Sequence, residues 1–216
     1  VKIHQVIDTH DYGIIIDKRE IFLHSLDIEE KGIDHKVSNR FLKNIRILEN
    51  ISDKPIIIHQ HSIGGDWFEG MMIFDAIKHS KCYIAMIMHG QACSMGSLIP
   101  QAADLRIIMP NTLFMTHQGS ISISDLTIKQ ADSLANSEKH LRQVMLDIYA
   151  ERCIDGHFFK DRKYTLNRVK NYLNNKWDKF EDWYLTPLES VTYGFCDIVL
   201  NESISNIKKS ILDKIK

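Results

Sequence analysis

The stretch Gly90-Gln91-Ala92-Cys93-Ser94-Met95-Gly96 carries the clearest candidate for covalent chemistry in the chain. It follows the apolar run Tyr83 to Met88, which reads as a buried strand ended by His89-Gly90, and precedes a short helix expected from about Ser94. A serine at such a strand-to-helix turn has its Oγ near backbone N–H groups that the helix cannot pair. Those groups and the positive end of the helix favour developing negative charge. The same position also suits a plain helix N-cap, and this window alone does not decide between the two readings. Gly-x-Ser-x-Gly, the signature of the hydrolase nucleophile elbow, is absent.

A serine hydroxyl is a weak nucleophile without a base. His117 follows Leu113-Phe114-Met115-Thr116 and would project from the end of that strand, although an ordinary half-buried histidine fits there too. The base in turn needs an acceptor to orient it. Asp182, Asp178 and Glu181 compete for that role, and spacing alone does not choose among them. Cys93 beside the serine is a second nucleophile in principle, but a small buried filler is the better reading. His59 and His61 alternate on a strand, so their rings could converge on a metal. No third ligand accompanies them and structural zinc usually takes four, so no metal site is expected.

The elements that must position these groups can be read from periodicity. Ile14-Ile15-Ile16 and Ile21-Phe22-Leu23 are short apolar runs, and Lys54 to Gln60 holds the buried strand Ile56-Ile57-Ile58, broken by Gly64-Gly65. Phe41, Ile45 and Leu48 give residues 38–50 a helical stripe. Asp66 caps a helix to about His79, with Phe68, Met72, Ile73, Ala76 and Ile77 on one face. Leu105 to Met109 and Leu113 to Thr116 form two strands around the turn pair Pro110-Asn111. Ser124 to about Glu151 is a long charged helix striped by Leu134, Leu141, Met145 and Ile148. Residues 155–181 are polar and aromatic, irregular or helical. Thr186-Pro187-Leu188-Glu189 is a capping box with proline at the first helical position; Gly194 ends that helix, Phe195 to Leu200 is a last strand, and a short amphipathic helix follows from Ser203. Repeated strand–turn–helix units favour one α/β domain over residues 1–216.

Composition narrows the function classes. Of 216 residues, 44% are hydrophobic and 25% charged, so the chain is not a disordered segment. The net charge of −1 provides no overall field for nucleic acid or an anionic membrane. Trp67, Trp177 and Trp183 form no stacking track for nucleic acid, and no apolar run is long enough to span a membrane. The charged run Asp27-Ile28-Glu29-Glu30-Lys31 reads as solvated surface. Four scattered cysteines and no leader-like start make reduced thiols and a cytoplasmic location the expectation. No phosphate-binding Gly-x-x-x-x-Gly-Lys loop is present, so no nucleotide cofactor is expected in this subunit.

Taken together, these blocks resemble the ClpP family, the serine peptidase subunits of the Clp proteolytic machines. Gly90 to Gly96 resembles that family's Gly-Gln-Ala-Ala-Ser-Met-Gly around its nucleophile. Pro110-Asn111 and Met115-Thr116-His117-Gln118 resemble the segment that carries its histidine. Asp182-Trp183-Tyr184-Leu185-Thr186-Pro187, leading to Glu189 and Tyr193-Gly194, resembles the segment that carries its aspartate, and Ser62-Ile63-Gly64-Gly65 resembles its Ser-Pro-Gly-Gly. The resemblance implies Ser94 as nucleophile, His117 as base, Asp182 as orienting acid, and the Gly65 and Met95 backbone N–H groups as oxyanion hole. It implies a ClpP/crotonase-like α/β fold with a long protruding helix at 124–151 that joins heptameric rings into a tetradecamer. It also implies an ATP-driven AAA+ unfoldase as partner and unfolded proteins or peptides as substrates.

Four departures stand out. Ile63 replaces a proline, Cys93 replaces an alanine, Gly119-Ser120 replaces a longer glycine-rich segment, and the 65-residue gap from His117 to Asp182 is some fifteen residues longer than in the family, the extra segment falling within 153–181. Rival readings are a viral-head maturation or signal-peptide-type peptidase, a non-catalytic ring subunit, and an acyl-CoA enzyme of crotonase type.

Overall fold

The computed structural model describes residues 3–24, 32–120 and 125–213; the charged run 27–31 lies outside them. In chain order the elements are α1 (Ile3–Tyr12), β1 (Ile14–Ile15), β2 (Glu20–Leu23), α2 (His35–Ile51), β3 (Ile56–Ser62), α3 (Trp67–Lys78), β4 (Ile84–Cys93), α4 (Met95–Leu98), β5 (Leu105–Ile108), β6 (Leu113–Thr116), α5 (Ile128–Cys153), α6 (His157–Lys160), α7 (Leu166–Phe180), β7 (Trp183–Leu185), α8 (Pro187–Thr192), β8 (Ile198–Val199) and α9 (Ile204–Asp213). The main sheet runs β1-β2-β3-β4-β5-β8 and is parallel except for the β1–β2 pair. Such parallel strands, covered on both faces, read as continuous apolar runs. Ile56, Ile58, Ile84 and Met86 are accordingly buried.

The sequence reading ends the fourth strand at His89-Gly90, but β4 continues to Cys93. Gly90, at φ 59, is a kink inside the strand rather than its end. Before the kink, Ala85–Met88 pairs with Leu105–Ile108 of β5; after it, Gln91–Cys93 pairs with Leu113–Met115 of β6. One strand thus changes partner midway and carries Ser94 alongside the end of β6. β6 in turn pairs antiparallel with β7, Thr116 opposite Trp183.

Helices cover both faces. Ile45 and Leu48 of α2, Ile73 and Ile77 of α3, and Met145, Leu146 and Tyr149 of α5 pack in the larger core, while Ile207 and Ile211 of α9 cover Ile57, Ala85, Ile87 and Ile107 on the other face. Asp66 caps α3 by accepting from the Phe68 and Glu69 N–H groups, and Thr186 and Glu189 form the expected reciprocal box at α8. Phe68 departs from the expected apolar face of α3 and is 70% exposed.

The long helix starts at Ile128, capped by Thr127, and ends at Cys153, later at both ends than 124–151. Of its expected stripe only Met145 is fully buried; Leu134, Leu141 and Ile148 are half-buried. Residues 155–181 are largely helical, as α6 and α7, because Phe158, Phe159, Tyr164 and Tyr172 stack with Tyr193 into one aromatic cluster. The last strand is shorter than expected, Ile198–Val199 only.

Candidate active site

Ser94 is the junction between β4 and α4, and its backbone is strained, with φ 54 and ψ −125. A non-glycine residue there costs of order 1–3 kcal/mol and persists only where its surroundings fix it. Two contacts do so. The Ser94 N–H donates to Met115 O at 3.0 Å, and Gly64 packs so closely that a Cβ on it would lie 2.5 Å from the Ser94 Cβ. The side chain does not cap the helix, so the N-cap reading does not hold. Instead Ser94 Oγ lies 2.7 Å from His117 Nε2.

His117 stands just past β6, where the strand end projects it over the turn. Its other ring nitrogen, Nδ1, is 3.3 Å from Asp182 Oδ1. Asp182 directly precedes β7, so the antiparallel β6–β7 pairing brings the two residues together across 65 positions of sequence. The rival carboxylates are engaged or directed elsewhere. Asp178 Oδ1 accepts from Gln118 Nε2 at 2.9 Å and from Arg142 Nη2 at 3.1 Å. Glu181 is exposed at the end of α7, in the left-handed region with φ 54.

Gly65 and Met95 flank this group. The loop before Gly65 is held by two backbone hydrogen bonds, from the Ile33 N–H to Gly64 O at 2.7 Å and from the Asp66 N–H to Ile33 O at 2.9 Å. Ile33 therefore fixes the backbone on either side of Gly65. Gly65 has φ 151, and a Cβ there would strike the Ile33 backbone at 2.3 Å, which is why glycine is required. Among the described residues, neither the Gly65 nor the Met95 N–H donates to a protein acceptor. Cys93, the neighbour of Ser94, is 5% exposed, and burial pushes its thiol pKa up, away from the nucleophilic thiolate.

Sequence reasoning missed two supports. Trp177 Nε1 donates to Thr116 Oγ1 at 3.0 Å, so α7 pins the residue next to His117. The Gln118–Asp178–Arg142 chain, extended by Asn174, ties α5 and α7 to the same strand end. Tryptophan at an amphipathic helix position reads as core, and nothing local in the sequence marks its N–H as a brace. His59 and His61, expected to share a face, are placed apart in burial. His59 is buried with Nδ1 3.1 Å from His89 Nε2, whereas His61 is exposed.

A hydroxyl within hydrogen-bond reach of an imidazole that a carboxylate orients, beside two open backbone N–H groups, can run acyl transfer. The sequence profile of the Clp protease family matches residues 5–203. The chain belongs to the Clp protease family. It is 30% identical over 171 residues to the ATP-dependent Clp protease proteolytic subunit 2 of Pseudomonas aeruginosa, covering 78% of this chain and 77% of that one. It is 28% identical over 198 residues to the ATP-dependent Clp protease proteolytic subunit 1 of Prochlorococcus marinus, covering 88% of each. The fold is similar to that of a ClpP1 mutant from Listeria monocytogenes, with a TM-score of 0.70 and 23% identity, over 89% of this chain and 96% of that one. By family this Clp protease is a serine-type endopeptidase. No helix among its described residues is long and apolar enough to cross a membrane.

Proposed function

We propose that Ser94, His117 and Asp182 are the catalytic triad of this Clp protease, with the Gly65 and Met95 N–H groups as its oxyanion hole. The observation that carries the reading is the 2.7 Å contact of Ser94 Oγ with His117 Nε2, backed by the 3.3 Å contact of His117 Nδ1 with Asp182 Oδ1. Ser94 Oγ attacks the scissile carbonyl and passes its proton to His117 Nε2. The oxyanion that forms takes hydrogen bonds from Gly65 and Met95. Collapse expels the amine, which takes the proton from His117, and leaves an acyl group on Ser94. Water, activated by the same imidazole, then releases it. Asp182 holds the tautomer and stabilises the imidazolium. The base is a histidine, which sets the site apart from a signal-peptide-type peptidase with a lysine.

The subunit acts within heptameric rings stacked into a tetradecamer, and a partner AAA+ unfoldase supplies the ATP work and feeds it unfolded chains. This subunit itself holds no cofactor. Support comes from the first half of α5, which buries none of its residues fully and leaves Ile128 83% exposed, and from relatives named ATP-dependent proteolytic subunits. Four buried, free cysteines suit the cytoplasm. One preparation tests the reading. Ser94→Ala lowers hydrolysis of a short fluorogenic peptide by several orders of magnitude, with sedimentation as a closed ring unchanged, because the serine side chain makes no cap bond to lose. Cleavage at the wild-type rate removes Ser94 as nucleophile, and a purely monomeric active species removes the ring.

A further inference from the structure

A cavity of about 260 Å³ opens between the first turn of α3 and the face of α5, and Gly65, Met95 and His117 are among the residues that line it. Its place follows from the proposed oxyanion hole. A scissile carbonyl oxygen held by the Gly65 and Met95 N–H groups puts the residue that owns this carbonyl beside the same two residues. The side chain of that residue, immediately N-terminal to the cleaved bond, enters the cavity.

The walls are largely apolar, from Trp67, Phe68, Leu141 and Met145. Three charged side chains join them, and their partners differ. Arg142 is already engaged, its Nη2 lying 2.7 Å from Asn174 Oδ1 and 3.1 Å from Asp178 Oδ1. Asp66 Oδ1 is committed to the Phe68 and Glu69 N–H groups. Glu138, half-buried, has no hydrogen bond or ion pair among the described residues. The cavity thus combines an apolar wall with one carboxylate that lacks a partner, while the cation beside it, Arg142, is turned to Asn174 and Asp178.

We propose that Glu138 is a specificity-determining residue that selects lysine or arginine immediately N-terminal to the scissile bond. The inference rests on the triad reading above. The aliphatic stem of a long basic side chain packs along Leu141, Met145 and the two aromatic rings while its charged head meets Glu138. A leucine in the same place desolvates Glu138 without pairing it, and an acidic side chain adds like-charge repulsion.

The test uses the full chain and two internally quenched peptides that differ only in lysine or leucine at that position, with cleavage sites read by mass spectrometry. The expected kcat/KM ratio favours lysine by about tenfold, the scale of a partly desolvated ion pair, and it shrinks as salt is raised. Glu138→Gln, close in shape, removes the preference, and Glu138→Lys reverses it in favour of the leucine peptide. A wild-type enzyme that cuts the leucine peptide as fast or faster, or a lysine preference that survives Glu138→Gln, overturns the assignment. Fluorophosphonate labelling separates the two levels. If Ser94 reacts and lysine is not preferred, only the specificity falls; if Ser94 is inert and neither peptide is cut, the triad reading falls and takes the specificity with it.

Discussion

Among the carboxylate–imidazole contacts of the described residues, two bear comparison. In one, Asp182 lies 3.3 Å from His117, which lies 2.7 Å from Ser94. In the other, Glu20 Oε2 lies 3.5 Å from His59 Nε2, and His59 Nδ1 lies 3.1 Å from His89 Nε2. The second is the more deeply buried, with Glu20 at 6% and His59 at 8% exposure, and Phe22 stacks on the His59 ring. Yet it ends on another imidazole instead of a hydroxyl, and His89 sits on the regular part of β4 rather than on a strained turn. The comparison shows that proximity of a carboxylate to an imidazole does not by itself mark a reactive site. What distinguishes the first chain is its end: a serine held at positive φ, two backbone N–H groups without protein acceptors among the described residues, and an adjoining cavity.

The largest effect that separates the chains comes from their carboxylates. Asp182→Asn leaves the geometry nearly unchanged but offers the imidazole a donor, favouring the wrong tautomer, so kcat for a short peptide falls about 10²- to 10⁴-fold. The Asp182 side chain is 46% exposed, so thermal stability shifts little. Glu20→Gln in the same assay leaves kcat unaltered, and a comparable loss there would erase the distinction between the two chains.

A smaller effect tests the turn. Gly64→Ala places a Cβ 2.5 Å from the Ser94 Cβ and 3.0 Å from its Oγ, at a backbone φ of 107. Peptide hydrolysis falls about 10²-fold because the Ser94 hydroxyl is displaced from His117, and denaturant unfolding records a loss of about 1–3 kcal/mol. An active Gly64→Ala enzyme would mean that the close approach has no catalytic consequence.

The smallest effect belongs to the second chain. Burial, reinforced by His59 and His61, lowers the His89 pKa from 6.5 to about 4. The folded state therefore holds His89 neutral while the unfolded chain takes up a proton. Its contribution to stability is complete above pH 6.5 and is lost as the pH falls toward 4. Urea titrations across that window show stability declining with acid in the wild type and a flatter profile in His89→Leu, with hydrolysis at neutral pH unchanged. An equally steep profile in the variant assigns the acid sensitivity to other groups.

The legible parts of the molecule were those written locally. The caps at Asp66 and at Thr186 with Glu189 are signalled within four residues, and the structure forms both. The Ser94 window and the His117 strand end are also local patterns. Gly90 shows how a local rule misleads: glycine reads as a strand break, but here it is the kink that lets β4 exchange β5 for β6. The choice among Asp178, Glu181 and Asp182 is not local at all. It depends on α7 ending where it does and on the antiparallel register of β6 and β7. The Glu20–His59–His89 chain joins three strands through residues 39 and 30 positions apart, a pairing that no spacing rule reveals. The aromatic packing that turns 155–181 into helices is hidden for the same reason.

The central claim is that Ser94 is a nucleophile activated by His117 and Asp182. Exposure of the wild-type protein to a fluorophosphonate, followed by intact mass and peptide mapping, tests it most directly. The account predicts a single adduct, located on Ser94, whose formation parallels the loss of peptide hydrolysis and is slowed in Asp182→Asn. Full hydrolysis after labelling, an adduct on another residue that tracks the loss of activity, or no adduct in an enzyme that cleaves peptides would contradict it.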